Sequence, residues 1–319
     1  MSLLSAKGPP VRASRGPNHS HSGSSGWLRS VDCRPFRDKL TRRALMAGAV
    51  AGAAGRAYGR FGSVELGVCE PAAHFEQAVA FGFDYYEPEA SEIAAMDDGA
   101  FAQFKARVLR SPIRCKAFRS FIRSHKIVGG DVRPDDLHAY VNRTMARCRE
   151  VGCEVMVFGS GGARNVPPGF PRERAMDQLR GFLRAAGDAA RRHGMVIGIE
   201  QLRREESNVI NTVGEAVALA REVAHPNVRI IVDYYHLRKT NENPDVMWKA
   251  RHDIVHLHFA NPSGRVWPKR PEEDPEYRHF FRIVREMNYR GGLTIEAPNG
   301  SMEKDAEASL RFFAEMLAG

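Results

Sequence analysis

The fold class is decided by the stretch Val228–His236, which reads VRIIVDYYH. Its first five residues are mostly apolar and β-branched, which predicts a strand buried on both faces. The strand ends at Asp233, and an imidazole follows at His236. A buried strand with a carboxylate at its C-terminal end places that charge at the mouth of a pocket, where a partner must compensate for the lost hydration.

Three further buried strands end in the same way, on a residue that can ligate a metal. They are predicted over Met195–Glu200, Ile254–His258 and Gly292–Glu296. A single acidic residue at a strand end is ordinarily a helix cap or an ion-pair partner. Oxygen and nitrogen donors on four consecutive strands instead indicate one divalent-metal site, whose candidate ligands are Glu200, Asp233, His258 and Glu296.

Strand and helix patterns alternate throughout residues 58–319. Eight β/α units with right-handed crossovers in about 260 residues predict a closed (β/α)8 TIM barrel, a single α/β domain. Active sites of this fold lie at the C-terminal ends of the strands, where the four candidate ligands are placed. The predicted strands are Ser63–Cys69, Phe83–Glu87, Ile113–Phe118, Glu154–Phe158, Met195–Glu200, Val228–Asp233, Ile254–Phe259 and Gly292–Glu296.

Residues 1–57 are expected to form a disordered leader without fold information. Within them Arg42 and Arg43 precede Ala47–Ala54, a weakly apolar run of small residues. This arrangement resembles a twin-arginine export signal, which predicts a periplasmic or otherwise exported protein. The run is too short to span a bilayer, so no stable membrane insertion is expected. Two alternatives stay open, an Arg-rich tail or a start codon further downstream, and the latter would leave the protein cytoplasmic.

Most of the formal charge of +9 belongs to the leader. Residues 1–57 contain ten Lys and Arg and two Asp, which leaves +8 there and +1 for the remaining residues. A nearly neutral body predicts no broad basic surface for a nucleic acid. The five cysteines show neither the spacing of a metal site nor a disulfide framework, although a Cys148–Cys153 bridge stays open.

Three carboxylates and one imidazole favour a hard divalent cation, Mn²⁺ first, with Mg²⁺, Co²⁺ or Zn²⁺ as alternatives. Such an ion leaves positions at which two adjacent substrate oxygens can chelate. It would then stabilise the enediolate that forms when the carbon-bound proton between them is removed. Glu200 and Glu296 come from the fifth and eighth strands, so they can flank a bound sugar as an acid/base pair.

These motifs resemble the xylose-isomerase-like barrels of the sugar phosphate isomerase/epimerase family, particularly the ketose 3-epimerase branch. The resemblance covers residues 62–317 and is carried by Ile199-Glu200, Asp233-Tyr234-Tyr235-His236, His256-Leu257-His258 and Ile295-Glu296. It implies that Glu200, Asp233, His258 and Glu296 bind the metal, and that Glu200 and Glu296 transfer the proton. It also implies that His236, Glu206 and Arg265 hold substrate hydroxyls. His258 is the family ligand, so His256 is expected to be a packed, hydrogen-bonded histidine.

Some residues depart from this pattern or admit two interpretations. Arg265 lies one residue further from His258 than in the epimerases, and Asn261 stands where related barrels often carry Asp. Glu87 could contact substrate or form an ion pair in a loop. The glycine-rich loop Gly159–Arg164 could hold a phosphate, but it lacks the spacing of a phosphate-binding loop and is interpreted as a turn that lines the pocket.

The sequence therefore predicts an exported, metal-dependent isomerase or epimerase of a free sugar or keto-sugar, and a homo-oligomer stays open. The first alternative is a metal-dependent lyase or hydrolase of 3-keto-glycosides that uses the same proton abstraction. A relative of the abasic-site endonucleases would need further His ligands on the second and third strands, and those strands contain none. A non-catalytic sugar-binding barrel would be expected to lack ligands that this chain retains.

Overall fold

The computed structural model describes residues 64–319, and the predicted leader with its twin-arginine motif lies outside this range. The described chain contains eight parallel strands, as the sequence predicts. Their positions agree with the predicted strands to within a few residues. The strands are β1 Glu65–Cys69, β2 Tyr85–Glu87, β3 Ala117–Phe118, β4 Val155–Phe158, β5 Val196–Ile199, β6 Val228–Asp233, β7 Ile254–Phe259 and β8 Gly292–Ile295.

The sheet runs in the order β2-β1-β8-β7-β6-β5-β4-β3, so its two edges are β2 and β3. These edges meet across a short seam. The backbone N–H of Tyr86 donates to the carbonyl of Arg114 at 3.0 Å, and Glu89 and Arg119 form a parallel bridge beyond the strand ends. The sheet therefore closes on itself as a TIM barrel.

Helices cover the outside of the barrel and bury one face against the strands. Their starts follow the capping residues, since the hydroxyl of Thr212 accepts the Glu215 N–H at 3.1 Å and that of Ser301 accepts the Lys304 N–H at 3.4 Å. No helix among residues 64–319 is long and apolar enough to cross a membrane. The helices are α1 Phe75–Phe81, α2 Ala90–Ala95, α3 Asp98–Arg110, α4 Pro134–Glu150, α5 Gly161–Arg164, α6 Arg172–Arg192, α7 Val213–Val223, α8 Tyr234–Lys239, α9 Val246–Ala250, α10 Tyr277–Glu286 and α11 Met302–Ala318.

The barrel interior is filled below the site by Tyr85. Its hydroxyl lies 2.6 Å from Thr294 Oγ1, and its ring lies against Gly67 on the neighbouring strand β1. A Cβ at Gly67 would come within 2.3 Å of that ring, so only glycine leaves room for the tyrosine. The ring therefore forms the floor on which the polar residues of the site lie.

The structure differs from the predicted elements at several places. The third strand is shorter than predicted, because the Cys115 N–H bonds to the Val151 carbonyl in a turn rather than to β4. Helix α2 is not predicted by the sequence pattern. Helix α8 begins directly after β6, because Asp233 Oδ1 accepts the His236 N–H at 2.9 Å and so caps the helix.

Candidate functional site

The structure brings the four predicted ligands together at the C-terminal end of the barrel. Each of Glu200, Asp233, His258 and Glu296 offers a ligand atom, and these four atoms all lie within 4.8 Å of one another. The Nδ1 atom of His258 lies 3.2 Å from Glu200 Oε1, 3.4 Å from Glu296 Oε2 and 4.0 Å from Asp233 Oδ2. Residues that are almost a hundred positions apart in the chain therefore share one small volume.

Burial raises the free-energy cost of keeping the three carboxylates of this cluster charged. Burial raises the pKa of Asp233, and the neighbouring Glu200 carboxylate raises it further, while Arg265 opposes the shift. At Glu296 burial would also raise the pKa, but Arg265 and His258 outweigh it and hold the pKa well below its ordinary value. Three carboxylates that are removed from water in this way need a cation to compensate for their mutual repulsion.

The donor set fits a hard divalent ion. It consists of carboxylate oxygens and one imidazole nitrogen, all carried by strand ends in a barrel whose interior is packed below them. Gly159 leaves space for this arrangement, since a Cβ there would lie 2.2 Å from Glu200 Oε2. The residues present therefore fit the metal that the sequence predicts, and Glu200, Asp233, His258 and Glu296 would hold it.

Glu87 supports His258 from the opposite side of the imidazole ring. Glu87 Oε1 lies 2.9 Å from His258 Nε2, and its carboxylate is fully buried. Burial alone would raise the pKa of Glu87, but His258 and His256 outweigh it and hold the pKa below its ordinary value. An Nε2–H bond to this carboxylate leaves Nδ1 free to ligate a metal, as is common for metal-bound histidines.

Of the two sequence interpretations of Glu87, the ion pair is closer to the structure, but its partners are His256 and His258 in the barrel interior rather than a residue in a loop. The residue ends β2 on the inside of the barrel, where it belongs to a buried network. Its Oε2 lies 2.9 Å from His256 Nε2 and accepts a 2.6 Å hydrogen bond from Thr294 Oγ1. His256 is packed and hydrogen-bonded, as expected, and it lies 2.9 Å from Thr294 Oγ1 as well. The usable signal was the position of Glu87 at a strand end, the same signal that identified the ligands.

His236 directs an unpaired ring nitrogen toward the cavity. Its Nδ1 accepts the backbone N–H of Arg203 at 3.1 Å, which fixes the neutral ring as the Nε2–H tautomer. Burial and the positive charge of Arg265 lower the pKa of His236 to about 3, while Glu206 opposes the shift. Its Nε2 is buried and has no hydrogen-bond partner among the described residues. The ring therefore presents one neutral donor to a bound molecule.

Arg265 reaches the cluster although it lies one residue further along the chain than in the epimerases. Its backbone adopts a left-handed conformation, with φ at 51°, which turns the side chain back over the barrel. Its Nη2 lies 2.7 Å from Glu296 Oε2, and its Nη1 lies 3.3 Å from Glu206 Oε1. The guanidinium packs over the ring of Tyr235 at 4.8 Å. Arg265 and Glu206 therefore border the cluster, where the resemblance places them.

Asn261 shapes the turn that carries Arg265. Its Oδ1 accepts the Ser263 N–H at 2.8 Å, and its Nδ2 donates to Glu273 Oε2 at 3.0 Å. Both polar ends of the side chain are therefore occupied by contacts within its own loop region. The Asn261 amide therefore stabilises the turn, and these contacts do not require an aspartate at this position.

The glycine-rich segment after β4 does not form an anion-binding loop. It contains the short helix α5, and Arg164 at its end is fully buried rather than directed at a ligand. The guanidinium donates to the carbonyls of Phe158 at 3.0 Å and Glu200 at 2.9 Å. Burial lowers the pKa of Arg164 to about 10, and Glu200 opposes that shift. The interpretation as a turn that lines the pocket is consistent with this geometry, because Gly159 and its neighbours form one wall.

A cavity of about 460 Å³ opens above the cluster. Glu200, Glu206, His236, Arg265 and Glu296 line it, so all the predicted site residues except the deeper Asp233 and His258 face it. Two arginines on the loop after β3, Arg119 and Arg123, also line it and were not identified from the sequence.

The cysteines of the barrel lie in the core. Cys69, Cys115, Cys148 and Cys153 are all buried and free, so the Cys148–Cys153 bridge is not formed in the structure. Cys69 ends β1 near Glu87 and His258. Burial and the Glu87 carboxylate raise the pKa of Cys69 above its ordinary value.

The profile of one protein family matches residues 75–316, which is most of the chain. This family is the xylose isomerase-like TIM barrel. The chain belongs to it. The xylose isomerase-like barrel explains the closed eight-stranded sheet, and the family-level resemblance inferred from the sequence is confirmed.

Several relatives within the xylose isomerase-like barrels are sugar epimerases or isomerases. D-psicose 3-epimerase of Agrobacterium fabrum is 24% identical over 232 residues, which cover 70% of this chain and 78% of that protein. 3-Dehydro-D-guloside 4-epimerase of Escherichia coli is 29% identical over 166 residues, which cover 49% of this chain and 61% of that protein.

Solved structures show the same architecture. D-allulose 3-epimerase from Methylomonas sp. aligns with a TM-score of 0.69 at 19% identity, covering 80% of this chain and 98% of that one. The 3-keto-D-glucoside 4-epimerase from E. coli aligns with a TM-score of 0.67 at 21% identity, covering 79% and 98%. At these identities the likeness shows a shared fold.

Proposed function

We propose that the protein is a divalent-metal-dependent isomerase or epimerase of a free sugar or keto-sugar. The observation that carries this proposal is the placement of Glu200 and Glu296 around His258 Nδ1, at 3.2 and 3.4 Å. The two glutamates follow β5 and β8, which are separated in the sheet by β6 and β7. They therefore approach the cavity from different sides, as a pair of proton-transferring groups must.

Each glutamate has one oxygen for the ion and one for the proton. Glu200 Oε1 faces His258 and its Oε2 faces Gly159 at the cavity wall. Glu296 Oε2 faces His258, and its Oε1 faces Arg119 on the opposite side of the cavity. A bound divalent ion would polarise two adjacent substrate oxygens and so acidify the C–H next to the carbonyl. One glutamate, as the carboxylate, would then remove that proton, and the other, as the carboxylic acid, would give its own proton to the opposite face of the carbon, so that the two exchange protonation states.

His236 and Arg265 orient the substrate in this proposal. The neutral Nε2–H of His236 donates to a substrate hydroxyl or carbonyl oxygen, because it has no partner among the described residues. Arg265 holds Glu296 in place at 2.7 Å, and Glu206 in turn binds Arg265. The polar groups around the cluster are thus arranged before a substrate enters, which is what efficient proton transfer requires.

The metal and the location of the enzyme are also part of this proposal. We take Mn²⁺ as the preferred ion because the donors are mainly carboxylates in an oxygen-rich site.

Export through the twin-arginine pathway is inferred from Arg42 and Arg43 before the small-residue run. An exported enzyme would meet free sugars rather than cytoplasmic sugar phosphates. Fractionation of cells that express the full chain tests this, and an R42K/R43K variant should remain in the cytoplasm.

Deuterium exchange tests the chemistry directly. The purified full chain, loaded with Mn²⁺, is incubated in D₂O with D-fructose, D-allulose and a 3-keto-glucoside, and incorporation next to the carbonyl is followed by NMR. We expect exchange that is lost on chelation and is reduced by about 100-fold or more in Glu200→Gln and Glu296→Gln. Glu307→Gln, an exposed change on α11, serves as the control. Exchange that survives chelation would refute the proposal.

A lyase acting on 3-keto-glycosides is the second candidate. The names 3-dehydro-D-guloside 4-epimerase and 3-keto-D-glucoside 4-epimerase point to a keto-glycoside as substrate, which such a lyase would share, although both relatives are epimerases. Such a lyase would begin with the same proton abstraction and then release the group attached at C1. The products separate the two reactions, because epimerisation keeps every atom whereas elimination liberates an alcohol.

A further inference from the structure

Two arginines of the cavity wall have no role in the chemistry proposed above. Arg119 and Arg123 lie on the loop that follows β3, at the same end of the barrel as the cluster. Arg119 Nη1 lies 3.7 Å from Glu296 Oε1, so it is separated from the ion position by a single carboxylate. A substrate that chelates the ion therefore extends toward this loop.

The charge of these arginines is only partly compensated. Both bind the same oxygen, since Glu89 Oε1 lies 3.3 Å from Arg119 Nη1 and 2.9 Å from Arg123 Nη2. The other carboxylate near Arg119 is Glu296, which is also a ligand in the metal cluster. Among the described residues, two guanidinium groups thus share one carboxylate that is not committed to the ion. This end of the cavity is therefore positively charged when the metal is bound.

Arg119 also has donor capacity to spare. Its side chain is 20% exposed, and its Nε is buried and has no hydrogen-bond partner among residues 64–319. Its backbone is fixed, because its N–H donates to the Pro88 carbonyl at 3.2 Å and its carbonyl accepts the Ala90 N–H at 2.8 Å. A fixed guanidinium with an unused donor matches the planar, two-oxygen geometry of a carboxylate or phosphate.

The two loops around this corner have constrained backbones and are joined to each other. Ser120 and Ser160 both adopt left-handed backbone conformations, with φ of 52° and 43°, in a region that non-glycine residues seldom occupy. The two loops are joined, because Ser160 Oγ accepts the Ile122 N–H at 3.0 Å. Arg123, which is 60% exposed, lies at the mouth and also contacts Ser120 Oγ at 3.1 Å.

We propose that Arg119 and Arg123 form a subsite for an oxyanion carried by the substrate, at the end remote from the ion-chelating oxygens. The substrate class is then an acidic keto-sugar. For an exported enzyme the oxyanion is a carboxylate that replaces a terminal hydroxymethyl group, and a phosphate ester of that hydroxymethyl group, which would require a cytoplasmic enzyme, is the alternative that the test distinguishes. This inference rests on the proposed function for the position of the reacting carbon. The guanidinium pair itself binds the oxyanion whatever reaction follows.

Three ketoses that share one carbonyl and hydroxyl pattern test the subsite. D-fructose is neutral, D-fructuronate carries a carboxylate at C6, and D-fructose 6-phosphate carries a phosphate there. Binding to the Mn²⁺-loaded full chain is measured by calorimetry, and proton exchange is followed in parallel. We expect at least one charged ketose to bind about tenfold or more tightly than D-fructose, with an advantage that shrinks as salt is raised. The tighter charged ligand identifies the oxyanion as carboxylate or phosphate.

Two variants locate the effect. Arg119→Gln should remove most of the preference for the charged ketose. Arg123→Gln, a change at the exposed mouth, should reduce the preference by about threefold. Arg191→Gln on α6, which is similarly exposed and paired with Asp188, is the matched control and should change nothing.

The outcomes separate this inference from the proposed function. If no charged ketose is preferred, or if the preference survives in both variants, the subsite does not exist, even where D-fructose exchanges its proton. If a charged ketose binds in an arginine-dependent way but none of the three sugars exchanges a proton, the subsite stands and the proposed reaction is wrong.

Discussion

Replacing Glu87 by Gln tests how the metal centre is supported. The change keeps the size of the side chain and removes its charge. Glu87 Oε1 lies 2.9 Å from His258 Nε2, whereas Oε2 lies 2.9 Å from His256 Nε2 and 2.6 Å from Thr294 Oγ1. An amide offers only one acceptor oxygen for these contacts, so it satisfies either His258 or the His256 side but not both.

The expected cost follows from these contacts. If the amide oxygen faces His258, a charge-assisted hydrogen bond becomes a neutral one of roughly half the strength. If the amide nitrogen faces His258, the Nε2–H tautomer is opposed, and Nδ1 is no longer free to ligate. Loss of a carboxylate behind a metal-bound histidine typically lowers metal affinity by about 10- to 100-fold, which corresponds to roughly 1.4–2.8 kcal/mol.

Manganese titration of the chelator-stripped protein measures this affinity. Calorimetry gives the dissociation constant, and circular dichroism of the metal-free variant confirms that it is folded. Glu242→Gln is the matched control, since Glu242 is half-buried and caps α7 through a 2.8 Å bond to the Val213 N–H, away from the cluster. Manganese affinity within twofold of the unsubstituted protein for Glu87→Gln would show that His258 does not depend on this carboxylate.

Three further substitutions test the stability of the barrel. Arg164→Met should destabilise the fold by about 3–5 kcal/mol in urea unfolding, because it leaves buried carbonyls without the hydrogen-bond donor that the guanidinium provides. Gly67→Ala should cost about 1–3 kcal/mol in the same assay, because its methyl group would overlap the ring of Tyr85. Asp305→Asn should lower the melting temperature at pH 7, and the deficit should shrink as the pH is lowered below 3.8. Burial alone would raise the pKa of Asp305, but the bond to Lys269 outweighs it and holds the pKa below the ordinary 3.8. Its stabilisation is therefore present above that pKa and is lost as the pH falls through the folded value.

Each of these expectations has its own contradiction. If the free energy of unfolding of Arg164→Met lies within about 1 kcal/mol of that of the parent, water must replace the guanidinium as the donor to these carbonyls. Unchanged stability of Gly67→Ala would mean that the Tyr85 ring moves aside without cost. A deficit of Asp305→Asn that is as large at pH 3 as at pH 7 would assign the effect to lost packing rather than to the charge.

The barrel and its ligand set could be predicted because each rests on a local signal. A buried strand such as Val228–Val232 is visible in its apolar run, and the residue that follows it must lie at the active end of the barrel. Four such ends are enough to place the candidate ligands. The start of α7 after Thr212 likewise follows from a cap, which depends on neighbours in the chain alone.

Residues whose role depends on distant partners could not be predicted. Glu87 is 171 positions from His258, and only barrel closure shows that one carboxylate serves two histidines. The segment Gly159–Arg164 was interpreted as a turn that lines the pocket, but its sequence did not show that Arg164 is buried against carbonyls from β4 and beyond β5. The position of Arg119 near the site could not be predicted, because it depends on a bridge with Glu89 that forms only where the ends of β2 and β3 meet.

The four candidate ion ligands all belong to β5–β8, which are contiguous in the sheet, whereas the arginines of the opposite wall follow β3. On the functions proposed above, the two halves of the barrel would have different duties: the C-terminal half would carry the reaction and orient the reacting part of the substrate, and the N-terminal half would select the charged end of the substrate. Recombination between relatives at the boundary before β5 would exchange the second duty and retain the first. New specificities are therefore accessible by grafting an N-terminal half-barrel, provided that the incoming β2 still supplies a carboxylate behind His258.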